Sequence, residues 1–155
     1  MEIERKFLVI QPPENYRHFP CRKIEQGYLN IRPVVRVRRA DDQYFLTYKS
    51  AGLLAREEYE LPLTEEAYLH LREKCDGNIL TKTRYLLPLD DAPHLTVELD
   101  VFEGIYEGLI LAEVEFPTEE EANAFTPPEW FGEDVTFSSA YHNSTLSRKG
   151  LSSKR

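Results

Sequence analysis

The 155-residue chain carries 27 acidic against 19 basic residues, a net charge of −8, which excludes the basic footprint of a non-specific nucleic-acid binder. With 41% hydrophobic residues, nine Tyr and eight Phe, it has the material for one packed domain and does not read as a disordered segment. No apolar run approaches the roughly 20 residues that cross a bilayer, the charged N-terminus predicts no secretory signal peptide, and Cys21 and Cys75 stand in no metal-ligand spacing, so a cytoplasmic protein with two reduced thiols is expected.

Alternating segments predict strands at 1–10, 23–31, 34–40, 43–50, 55–62, 80–89, 94–103 and 108–117. Between the first two, 12–19 reads as a short helix. Pro33 marks a kink or bulge, and Asp41-Asp42 a hairpin turn. Thr64 to Cys75 is the strongest helical stretch, with Ala67, Leu71 and Cys75 on one face and Gly77 placed to terminate it. Asp90 to Pro93 and Glu103-Gly104 are turns. Thr118 and Glu121 form a capping-box pattern that starts another helix, and 138–146 predicts a last one after the Pro127-Pro128 break. A single domain over 1–150 is expected, with 151–155 a frayed tail. Many short strands and few helices point to a sandwich or a closed antiparallel barrel.

Parity decides between these. Successive strand residues point to opposite faces. One face collects eight acidic groups (Glu2, Glu4, Glu58, Glu60, Glu98, Asp100, Glu113 and Glu115) and seven basic ones (Lys6, Arg36, Arg38, Lys49, Arg56, Lys82 and Arg84). The opposite face is almost wholly apolar, as in Ile3 and Phe7, Val97, Leu99 and Val101, or Val114 and Phe116. An ordinary solvated face mixes Ser, Thr, Gln and Lys. Here like charges sit side by side, Glu98 with Asp100 and Arg36 with Arg38, which is destabilising unless opposite charge lies between them. A sheet curled with its ionic face inward meets that demand. Fifteen ionisable groups cannot fill a dry core, so the bore is expected to be a wet tunnel, with helices over the apolar outside. The expected fold is α+β, mainly β: an eight-stranded antiparallel closed barrel with a charged interior.

The same residues carry a family resemblance. E-I-E-R-K at Glu2 to Lys6 resembles the E-x-E-x-K signature of the CYTH superfamily, the triphosphate tunnel metalloenzymes. Q-G-Y-L with Tyr28, R-V-R with Arg36 and Arg38, T-Y-K-S with Lys49, R-E-E-Y-E at 56–60, K-T-R at 82–84, E-L-D at 98–100 and E-V-E at 113–115 follow in family order. The pentapeptide alone is a weak signal; the ordered set, spanning about 1–146, is specific. The resemblance, to the short bacterial tripolyphosphatase-like members, implies a tunnel that binds a triphosphate and a divalent metal, Mg²⁺ or Mn²⁺. It implies phosphate binding by Lys6, Arg36, Arg38, Lys49, Lys82 and Arg84, with Arg56 and Tyr28 as further candidates. It implies metal binding by Glu2, Glu4, Glu58, Glu60, Glu98, Asp100, Glu113 and Glu115, and a possible homodimer. Tyr141 and Asn143 fall where the family has a C-terminal helix over one tunnel end.

The expected chemistry is in-line attack of water on a triphosphate, with Glu2 and Glu4 first for the metal and Lys6, Lys82 and Arg84 stabilising the charge that develops. Arginine forks grip two phosphate oxygens at once and lysine acts as a point charge. The scattered His18, His70, His94 and His142 are expected to be structural or exposed. Inorganic tripolyphosphate, or else a nucleoside triphosphate, is the expected substrate, the first being favoured since nothing obvious is left over for a large organic moiety. A class IV-type adenylate cyclase and a thiamine triphosphatase are the alternatives; the chain lacks the H-F-x-x-x-x-R element associated with the cyclases. A non-catalytic polyphosphate or nucleotide binder is the alternative of another class, disfavoured by eight acidic groups in its pocket. A structural domain with a merely solvated ionic face is a third.

Overall fold

The computed structural model describes residues 1–52 and 54–152. Its antiparallel strands are β1 (Glu2–Leu8), β2 (Cys21–Asn30), β3 (Val34–Ala40), β4 (Gln43–Lys49), β5 (Ala55–Arg56), β6 (Glu58–Leu63), β7 (Asp76–Pro88), β8 (Thr96–Phe102) and β9 (Ile110–Glu115). They form one nine-stranded sheet in the order β5-β1-β9-β8-β7-β2-β3-β4-β6. The two outermost strands of that order are consecutive in the chain and separated only by Glu57. The predicted single strand over 55–62 therefore splits there, one half pairing with β1 and the other with β4, and the chain itself bridges the seam of a nearly closed barrel. The ninth strand is this split; the architecture is the expected one.

Asp41 and Asp42 do turn the β3–β4 hairpin, Asp41 at φ 54, with its carboxylate accepting from the Lys23 amide. Pro33 lies in the turn between β2 and β3. The helix expected over 12–19 is a single 3₁₀ turn at Tyr16–His18, too short to gain from helix propagation. Helix α1 (Glu65–Arg72) starts where predicted, Thr64 Oγ1 accepting from Ala67 N. It ends at Glu73, before Gly77, and the residue it buries is Tyr68, which the apolar-face count had passed over. Gly77 belongs instead to β7, which begins earlier than expected and carries an irregular register opposite β2. At φ +72 it lies where a Cβ would come within 2.5 Å of the Ser147 carbonyl oxygen, a close approach that only glycine permits.

The apolar outer face of β1, β7, β8 and β9 is buried. Phe7, Val97, Leu99 and Val114 pack against Tyr16, Ala122 and Phe131 from the covering segments. Helix α2 (Glu119–Ala124), capped by Thr118 through Glu121 N, sits in that cover. The last helix, α3 (Asn143–Ser152), departs from the expectation that helices lie outside. Its Leu146 packs with Leu80, Phe102 and Leu111, which alternate in phase with Lys82, Asp100 and Glu113 and so face the bore. A small apolar plug therefore closes one end of the barrel. Ser139–Tyr141 form a 3₁₀ turn rather than the start of this helix, and α3 continues through 151–152, the first part of the expected tail; 153–155 lie outside the described residues.

Candidate active site

The inward face forms a cavity of about 160 Å³ lined by Glu2, Glu4, Lys6, Tyr28, Arg36, Arg38, Lys49, Arg56, Glu58, Glu60, Arg84, Glu98, Glu113 and Glu115, with Val34, His142, Asn143 and Ser144. Strand alternation explains the convergence. In register, Glu4 lies opposite Glu115 and Lys6 opposite Glu113, Glu98 opposite Glu113, Tyr28 opposite Arg36 and Lys49 opposite Glu58. Of the sequence-predicted site residues, only Lys82 and Asp100 do not line the cavity. Both are fully enclosed.

Most cations of the bore are already paired. Lys49 Nζ lies 2.8 Å from Glu2 and 3.6 Å from Glu58. Arg56 reaches Glu4 at 3.7 Å and Glu2 at 4.0 Å, and Lys6 reaches Glu113 at 3.5 Å. Arg84 donates its fork to both oxygens of Asp100, at 2.7 and 2.9 Å, while Lys82 Nζ approaches Asp100 at 2.6 Å. Burial works to raise the Asp100 carboxyl, but the Arg84 charge and then Lys82 outweigh it and hold it below its ordinary range. Burial also lowers the Lys82 ammonium to about 7.

Two guanidiniums differ. Among the described residues Arg36 and Arg38 make no ion pair, and Arg36 Nε is buried without an acceptor. Burial, followed by the charges of Arg36 and Arg84, lowers Arg38 to about 9. Burying positive charge without a counter-charge is costly, so an anion beside these two guanidiniums would relieve that cost.

The carboxylates show the converse. Burial, then the Glu113 charge, raises Glu4 to about 8. Glu113 is pulled well below its ordinary range: burial opposes this, but Lys6, Arg84 and Lys82 prevail, helped by a hydrogen bond with Glu4. Glu4 thus keeps a proton beside an ionised Glu113 at neutral pH, an arrangement in which a cation can take the proton's place. Among the described residues, no three Asp, Glu, His or Cys side chains are gathered as a ready-made cage.

A model of the CYTH domain matches residues 1–149. The chain belongs to the CYTH family. It is 42% identical over 148 residues to an inorganic triphosphatase of Nitrosomonas europaea, covering 94% of this chain and 95% of that one. It is 36% identical over 151 residues to an inorganic triphosphatase of Acetivibrio thermocellus, covering 94% and 92%. The crystal structure of the inorganic triphosphatase NE1496 superposes with a TM-score of 0.70 at 39% identity, over 95% of this chain and 94% of that one.

In this CYTH chain several site residues escaped the sequence reading. His142, expected to be structural or exposed, lines the cavity half-buried; burial, then Lys6 and Arg56, lowers its pKa. Ser144 lies beside it, at the start of α3. Gln26 is fully buried and accepts from Arg38. Its signal was present, since Gln26 alternates in phase with Tyr28, but β2 carries too few charges on that face to stand out. His142 and Ser144 gave no periodic signal, because they come from the plugging helix and the turn before it.

Proposed function

We propose that this CYTH protein is a divalent-metal-dependent triphosphatase that cleaves inorganic tripolyphosphate to pyrophosphate and orthophosphate within the barrel. The observation that carries the proposal is one cavity lined both by the uncompensated Arg36 and Arg38 and by the carboxylates of Glu2, Glu4 and Glu113. The printed activity of the relatives, at 36–42% identity over nearly the whole chain, supports the same reading. A bare anion receptor would gain nothing from the Glu4–Glu113 pair.

Arg36 and Arg38 bind phosphate oxygens first, because no carboxylate competes for them. Lys6, Lys49 and Arg56 hold carboxylates and would become available to the polyanion once those carboxylates held a metal, while Arg84, its Nε and Nη2 held by Asp100, presents Nη1 at 3.4 Å from Glu98. Asp100 is assigned to positioning rather than to the metal: its oxygens are occupied by Arg84 and Lys82, and it aims the Arg84 fork. Lys82 acts from behind it, its Nζ 3.5 Å from Asn143 Oδ1 at the start of α3. Tyr28, buried opposite Arg36, closes the wall on that side.

The donor set is all oxygen, which suits Mg²⁺ or Mn²⁺. Glu2, Glu4 and Glu113 would hold it, with Glu58, Glu60, Glu98 and Glu115 lining the remainder of the cavity. When bound, the ion neutralises charge on the phosphate oxygens during in-line displacement by water. The test is release of orthophosphate and pyrophosphate from tripolyphosphate, ATP and thiamine triphosphate, with Mg²⁺, with Mn²⁺ and with chelator. Metal-dependent turnover of tripolyphosphate above the two esters is expected. Cyclic AMP formed from ATP, or binding with no turnover under either metal, would overturn the reading.

A further inference from the structure

We infer that Gln26 is a positioning residue of the triphosphate site, holding the Arg38 guanidinium in a fixed orientation without cancelling its charge. The inference rests on the triphosphatase reading above and assigns within that site a residue that does not line the cavity.

Two arginines of the bore have their forks held through the same pair of nitrogens. Arg84 donates through Nε and Nη2 to the two carboxylate oxygens of Asp100. Arg38 donates through Nε, at 2.8 Å, and through Nη2, at 2.5 Å, to Gln26 Oε1. Gln26 and Arg38 are direct cross-strand partners of β2 and β3, and Gln26 is fully buried. The difference is charge. Asp100 compensates Arg84, whereas the amide leaves Arg38 with its full positive charge facing the cavity.

A carboxylate at position 26 would satisfy the same fork with stronger, charge-assisted bonds. A neutral acceptor there weakens the local structure relative to that alternative and keeps an anion receptor open. The cost is visible in Gln26 Nε2, which is buried with no hydrogen-bond partner. A residue serving only to hold the fork would be better as glutamate; a residue serving to present the cation must be neutral.

That contrast supplies the test. Binding of tripolyphosphate is measured by titration calorimetry and turnover by phosphate release, for the wild type, Gln26→Glu and Gln26→Met, with melting temperature as the fold check. If Gln26 presents the cation, Gln26→Glu keeps or raises the melting temperature and raises KM and the calorimetric Kd about 10- to 100-fold. Gln26→Met, which frees the fork but keeps the charge, weakens binding less than Gln26→Glu and lowers kcat. Binding that is unchanged in Gln26→Glu, or hurt more by Gln26→Met than by Gln26→Glu, overturns the inference in favour of a purely structural role. Should Gln26→Glu fail to fold, wild-type binding and kcat in Gln26→Met overturn it equally. Failure of the wild type to bind tripolyphosphate at all would instead sink the triphosphatase reading, so the two failures are separable.

Discussion

Glu4 and Glu113 occupy neighbouring positions with opposite fates, and the difference makes a pH test. The native Glu4 holds its proton up to about pH 8, whereas the unfolded chain releases it near the ordinary 4.5. The native state therefore binds more protons across that window. The contribution of Glu4 to the stability of the metal-free protein should therefore fall as pH rises from about 5 to about 8 and level off beyond, while Lys82, lowered to about 7 in the native state, adds a slope of opposite sign above that pH. Glu113, held well below its ordinary range, acts only on the acid side, where its contribution is lost as pH falls through its native pKa. Denaturation midpoints at pH 5, 6.5 and 8 measure the fall, and saturating Mg²⁺ should flatten it by replacing the proton. In Glu4→Gln the same slope should vanish with the fold intact, while metal-dependent turnover drops at least about 100-fold. Asp100→Asn is expected to behave differently. It leaves Lys82 and Arg84 buried beside a neutral amide, so the loss should be about 3–5 kcal/mol of unfolding free energy, read by urea titration, together with reduced kcat/KM from the loosened Arg84 fork.

At the level of elements, α3 links stability to the site. Its Leu146 fills the plug, and at its start Asn143 and Ser144 line the cavity. Gly77 lets β7 pass beneath it, where an added Cβ would meet the Ser147 carbonyl oxygen at 2.5 Å. Gly77→Ala should therefore push α3 away and strain a left-handed backbone, costing at least about 1 kcal/mol and lowering activity together with stability. Thr118→Ala is the control. It removes the cap of α2, outside the bore, and should cost about 1 kcal/mol with kcat/KM unchanged.

Across the whole barrel, charge balance ties substrate to metal. Inside the bore, carboxylates and cations neutralise each other through pairs such as Lys49–Glu2 and Lys6–Glu113. A polyphosphate arriving on the cations releases carboxylates, and a divalent cation arriving on the carboxylates releases cations. Each ligand should tighten the other by the same factor, on the order of 5- to 150-fold for coupling of ordinary size. Calorimetric Kd values for Mg²⁺ with and without tripolyphosphate, and the reverse pair, measure it. Equal Kd values in both states would show that the internal ion pairs do not compete with the ligands.

The strand pattern of this protein was legible because charge and apolarity alternate with a period of two over long stretches. Glu2-Glu4-Lys6 against Ile3 and Phe7 needs no partner to reveal which face is which. That alternation determined the barrel, its ionic interior and every charged candidate that lines the cavity, Lys82 and Asp100 being the two that do not; Tyr28 came from the family resemblance. Position along the bore was not legible, since alternation specifies a face but not a depth. Only the folded barrel showed that Asp100 and Lys82 are enclosed while Glu98 and Arg84 reach the cavity, although Arg84 and Asp100 are direct cross-strand partners. Nor could a period of two reveal which cations stay unpaired, that Gln26 holds Arg38, or that α3 turns its Leu146 inward. Those depend on contacts between residues far apart in the chain, and such contacts exist only once the sheet has curled on itself.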